Sequence, residues 1–162
     1  MVSAARILQV PVLVTEQNPR ALGVTVAEVD LLSVQAKVVP KTKFSMYVPE
    51  IEADMKRLQT KSVVLFGIES HVCVLQTALE ILETGRDVYV LADGVSSSNR
   101  GEIPIALSRL RSAGAIITTS ESILFQLLHD SNHEKFRAIS GLIKEYKDST
   151  KDTLENLVSS SL

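Results

Sequence analysis

The sequence predicts an α/β protein, a three-layer α/β/α arrangement around a mainly parallel sheet, on three observations. Short β-branched runs alternate with helix-period segments from end to end, the signature of a parallel sheet covered by helices on both faces. The runs lack the in-out polar alternation of a half-exposed strand. Glycines stand directly after two of the helical segments, where a residue tolerant of positive φ is wanted.

The strand candidates, in order, are 10–15 (VPVLVT), 36–39 (AKVV), 62–66 (SVVLF), 88–91 (VYVL) and 115–119 (AIITT), each read as a buried strand. Crossover helices are expected over 49–58, 72–84 and 103–112, with Gly85 and Gly114 just past the ends of the last two. Ser120 is the expected N-cap of a helix over 121–128, and Phe136, Ile139, Ile143 and Tyr146 recur on one face of a last helix. Residues 3–8 read as the last turns of a helix with no strand ahead of it, so a preceding segment is expected to be absent from this chain.

At 162 residues and 45% hydrophobic composition, one compact domain over 1–147 is expected, followed by a polar, flexible tail over 148–162 that is rich in Ser, Thr, Asp and Lys. A net charge of -2 offers no global field toward nucleic acid or an anionic membrane. No apolar run approaches the roughly 20 residues that span a bilayer, and the first residues lack a secretory order. With one cysteine there is no internal disulfide, which points to a reducing, cytoplasmic compartment. The terminal SSSL resembles a peroxisomal address but lacks a basic residue before the final Leu, and an organellar location stays open.

Ligand sites in open α/β sheets lie at the carboxyl ends of the strands. Four places qualify: Glu16, Lys41, the stretch from Gly67 to Cys73, and Asp93. A lone cysteine is most often a small buried hydrophobe. Cys73, however, sits where a loop enters a helix, and N–H groups at a helix N-terminus stabilise a thiolate. Lys41 is suited to add positive charge or to hold an oxyanion, against the plainer reading of a solvated loop lysine.

The segments PKTKFSM (40–46) and VVLFGIESHVCVLQTA (63–78) are similar to the isochorismatase-like cysteine hydrolase superfamily. With TEQNP (15–19) and TTSE (118–121), the chain most resembles the animal isochorismatase domain-containing proteins, over about residues 4–146. The resemblance implies a Cys nucleophile at Cys73, a lysine at Lys41, and attack on a carbonyl carbon, commonly of an amide. It also implies a cis peptide at Ile68–Glu69, backbone N–H groups of Glu69 and Cys73 aimed at the oxyanion, and a substrate pocket that includes Ile68, Glu69, His71 and Glu16.

The family's aspartate lies in a D-x-Q motif at the end of a strand upstream of this chain's first helix, and that motif is not among these residues. Without a base, general acid-base assistance of roughly 10²- to 10⁴-fold is forfeited, and a weak or inactive hydrolase is expected. The resemblance makes the absent strand central. Its two neighbours then pair with each other, or another segment or chain fills the gap, and poor solubility or a homo-oligomer follows.

Asp93 is read as a loop-stabilising carboxylate rather than a replacement base. His129 and His133 flank a loop-like Asp130-Ser-Asn132, and the metal cluster of the nicotinamidase branch is not present, so no metal is expected. None of the seven glycines forms G-x-G-x-x-G, so no dinucleotide and no other cofactor is expected. The alternative to a hydrolase acting on a small molecule is a non-catalytic binding or oligomerising module.

Overall fold

The computed structural model describes residues 1–159. Its elements are α1 (Val2–Leu8), β1 (Leu13–Gln17), α2 (Pro19–Leu22), β2 (Lys37–Lys41), α3 (Pro49–Arg57), β3 (Ser62–Ile68), a π-helical turn (Ser70–Val74), α4 (Leu75–Glu83), β4 (Asp87–Ser96), α5 (Glu102–Ser112), β5 (Ile116–Thr118), α6 (Ser120–Leu128), α7 (Phe136–Glu145) and α8 (Lys147–Ser159). A short 3-10 turn, Leu32–Val34, precedes β2.

The strands form two parallel sheets, β1-β2 and β3-β4-β5. All pairings are parallel, as apolar runs joined by helices require. Where one domain over 1–147 is expected, the chain divides into two compact units. The first comprises Met1–Lys43 and Glu121–Lys147, the second Phe44–Ser120 and the described residues from Asp148 on.

In the first unit β1 and β2 run side by side in the register Leu13↔Lys37 to Gln17↔Lys41, which sets Gln17 opposite Lys41. Among the described residues, β1 pairs with β2 alone. Helices α1 and α7 pack together, and Ala4 and Ile139 are fully buried. Residues 3–8, read as a helix end, lie within α1.

In the second unit β4 is the middle strand, and only β4 fits the fully buried reading: Val88, Val90 and Leu91 have no exposure. The other strands are partly exposed. The physical reason is position, because β3 and β5 are edges of their sheet, and Phe66 and Ile68 of β3 remain 40% and 68% exposed. Helices α3, α4 and α5 bury Ile51 and Met55, Ala78 and Ile81, and Leu107 and Leu110, at the i, i+3 and i+4 spacings of one helical face. Gly85 and Gly114 follow α4 and α5 with φ of 77° and 101°, the left-handed turn expected of them.

The polar tail differs from expectation: α8 is helical from Lys147 to Ser159, and its Leu157 meets Pro104, Leu107 and Ile117 across a shallow apolar groove. An apolar residue that gains a surface to rest on can hold a segment whose composition alone favours disorder. The last three residues, with most of the SSSL considered above, lie outside the described residues. No described helix is long and apolar enough to cross a membrane.

Candidate active site

Two strand ends carry the predicted residues. In the first unit Lys41 closes β2 and is buried, 8% exposed. Burying an ammonium is costly unless it is hydrogen-bonded. Its Nζ donates to Gln17 Oε1 at 2.5 Å, the cross-strand neighbour that the register dictates, and to the Lys43 carbonyl at 2.9 Å. Lys41 is therefore not a solvated loop lysine. Glu16, one residue before Gln17, accepts the backbone N–H of Thr25 at 2.7 Å and so anchors the loop after α2.

In the second unit β3 ends at Ile68, and the peptide Ile68–Glu69 is cis, at the position implied by the resemblance. The chain then winds into the π-helical turn Ser70–Val74, which runs on into α4. The backbone N–H groups of Val72 and Val74 both point back to the Glu69 carbonyl. Cys73 is part-buried and lies in this turn, at the start of a continuous helix. Single π turns of this kind recur at functional sites.

Two buried hydroxyls fix the turn. Thr77 donates to the Cys73 carbonyl at 2.6 Å and accepts the N–H of Met46 at 2.8 Å, tying the 44–48 loop to the cysteine. Ser97, just after β4, accepts the N–H of Ser70 at 3.1 Å, lies 2.5 Å from Ser70 Oγ, and is 2.9 Å from His71 Nδ1. Glu69, in turn, accepts the N–H and hydroxyl of Ser98 at 2.7 and 3.1 Å. The structure thus gathers Ile68, Glu69, His71 and Cys73 on one strand end of the second unit, and Lys41 and Glu16 on neighbouring strands of the first.

Gln17, Thr77, Ser97 and Ser98 were not singled out by sequence reasoning. Gln17 was within reach of it, since pairing the two predicted strands sets it beside Lys41. The serines were not, because a run of three serines reads as loop. Asp93 takes the role expected of it: its Oδ1 accepts the Ser120 N–H at 2.8 Å and its other oxygen accepts the Ser120 hydroxyl. Among the described residues no group of three His, Cys, Asp or Glu side chains is gathered to hold a metal.

The family model of the isochorismatase domain matches residues 1–122. The chain belongs to the isochorismatase family. It is 49% identical to isochorismatase domain-containing protein 1 of Danio rerio over 145 residues, 89% of this chain and 51% of that protein. It is 50% identical to the secreted isochorismatase effector Isc1 of Phytophthora sojae, over 90% of this chain and 72% of that one. The chain spans about half the length of the isochorismatase domain-containing proteins 1 that it matches.

Among solved structures of similar fold, the MAR1 ribonuclease of Caenorhabditis elegans superposes with a TM-score of 0.83 at 42% identity, over 88% of this chain and 73% of that one. The YcaC gene product of Escherichia coli, described as an octameric hydrolase of unknown specificity, superposes with a TM-score of 0.79 at 22% identity, over 98% and 77%. At that identity YcaC speaks for the isochorismatase-like α/β/α fold alone.

Proposed function

We propose that this isochorismatase-family chain is a cysteine hydrolase of a small amide or related carbonyl compound, with Cys73 as nucleophile and Lys41 as the cationic residue. The observation that carries the reading is the seat of Cys73 in a part-buried π turn at the head of α4, within the residues that the family model matches.

In the step assigned to this site, the thiolate attacks the carbonyl carbon, a C–S bond forms and the C=O electron pair moves onto oxygen. Backbone N–H groups of Glu69 and Cys73 receive that oxyanion. Collapse of the adduct breaks the C–N bond, the amine leaves with a proton, and water then hydrolyses the thioester to a carboxylic acid and the free thiol. Ile68 and His71 border the substrate, and Glu16 contributes through the loop it holds at Thr25.

Turnover is expected to be slow. Glu16 and Asp93, the two acids at candidate strand ends, are each already engaged by a backbone N–H. That observation favours the second reading, a binding or oligomerising module. The compartment assigned is the cytoplasm, on the single cysteine.

Ammonia release from a panel of small primary amides tests the proposal. Release above the uncatalysed rate, lost in Cys73→Ala, is the expected result; equal release by both proteins sinks the hydrolase reading. A single-stranded RNA belongs in the panel, because the C. elegans relative is described as a ribonuclease. RNA cleavage lost in Cys73→Ala, without amide hydrolysis, replaces the amide with RNA as substrate.

A further inference from the structure

The polar cluster between the π turn and the end of β4 contains more information than its anchoring role requires. Ser70 is fully buried and Ser97 is 6% exposed, while the His71 side chain, held by Ser97, remains 29% exposed. A serine hydroxyl carries one hydrogen and two lone pairs, and a neutral imidazole has one donor nitrogen and one acceptor nitrogen. Three hydrogens must be placed here: Ser70 N–H, Ser70 O–H and Ser97 O–H.

One arrangement places them all. Ser70 N–H and Ser70 O–H fill the two lone pairs of Ser97, and Ser97 O–H donates to His71 Nδ1. The alternative has His71 Nδ1–H donating to Ser97 and Ser97 donating to Ser70, which leaves the buried Ser70 hydrogen without an acceptor among the described residues. Buried donors are orphaned more rarely than buried acceptors, so the first arrangement wins. Glu69 does not reverse it, since its Oε2 is 4.0 Å from His71 Nδ1 and is already bonded to Ser98.

We infer that Ser97 is a positioning residue that locks neutral His71 as the Nε2–H tautomer and turns that N–H into a hydrogen-bond donor for the carbonyl substrate. The inference rests on the hydrolase reading for its ligand, though not for the tautomer. His71 stands two residues before Cys73 on the same π turn and its side chain is partly exposed, so a donor fixed there is open to a ligand. As an uncharged donor it offers directional selection without attracting anions.

Long-range proton–nitrogen NMR of the full chain tests this at roughly pH 8.5, two units above the ordinary imidazole value. His71→Gln assigns the ring signals against His129 and His133. The expected pattern is an unprotonated Nδ1 and a protonated Nε2 in the native chain, an average of two tautomers in Ser97→Ala, and recovery in Ser97→Thr. A protonated Nδ1 in the native chain, or an unchanged pattern in Ser97→Ala, overturns the inference.

If Ser97→Ala fails to fold, Ser70→Ala decides. There the Ser97 hydrogen still has only His71 to receive it, so Nδ1 must stay unprotonated, and a protonated Nδ1 overturns the inference. Acetamide is the ligand probe: it should shift the Nε2–H proton of the native chain and not that of Ser97→Ala, and no shift in either overturns the donor role. A locked tautomer in a chain that hydrolyses no amide refutes the hydrolase reading and leaves the Ser97 role standing. Averaged tautomers in a chain that does hydrolyse amides refute the Ser97 role alone.

Discussion

Asp93, Lys41 and Cys73 all qualified as strand-end residues with chemistry to offer, and their surroundings separate them. Asp93 spends both oxygens on Ser120, the first residue of α6, which is how a carboxylate caps a helix start. Asp93→Ala is expected to lower the unfolding free energy by about 0.5–2 kcal/mol in urea titration, with Asp93→Asn losing less because it keeps an acceptor. An unchanged midpoint in the alanine variant contradicts the capping role. Lys41 is pinned by Gln17 across the strand pair, so Gln17→Ala removes a partner from a buried ammonium. It should destabilise the chain by roughly 1–3 kcal/mol. A loss below the error of the titration contradicts the account of how this charge is tolerated.

The elements show how far periodicity reaches. The segment 49–58, read as a crossover helix, forms α3, and its Ile51 and Met55 are both 1% exposed, so Met55→Ala should cost about 2–5 kcal/mol of stability by thermal or urea unfolding. A change under about 0.5 kcal/mol is what a surface position gives and contradicts the burial. On the exposed side of α3, Lys56 beside Glu52 holds that carboxyl below its ordinary value. A depressed carboxyl contributes above its unfolded value and loses that contribution as pH falls through its folded value, so the small gain from this pair disappears under acid. Two departures from the expected elements have identifiable causes. The helix before α4 begins at Ser70 rather than Val72, because a π turn adds a residue that no 3.6-residue pattern reveals. Strand β4 runs past Leu91 to Ser96 through Ala-Asp-Gly-Val. Those residues read as loop, yet a Cβ at Gly94 would meet Leu91 Cβ at 2.9 Å and Phe66 Cβ at 3.0 Å, so the glycine is what lets the strands approach. With that extension comes Ser97, the residue of the site that the sequence concealed.

For the molecule as a whole, the fold class and the family were legible because alternating strands and helices are a periodic signal and because the motif around Cys73 is long. The division into two units and two sheets was legible only in part, through the expectation that two strands lack a partner. Among the described residues, β1 and β3 each keep one edge without a strand, and Leu22, Val24 and Leu32 of the first unit are 71%, 72% and 91% exposed. Open edges and exposed apolar side chains both promote association. Sedimentation velocity should therefore show concentration-dependent assembly, and a single monomeric species at every concentration contradicts that expectation. The central claim concerns Cys73, and its reaction with iodoacetamide, followed by mass spectrometry at neutral pH, tests it most directly. The account predicts that Cys73 is alkylated faster than free cysteine and that Lys41→Ala slows the reaction. Alkylation at or below the rate of free cysteine, unchanged in Lys41→Ala, contradicts it.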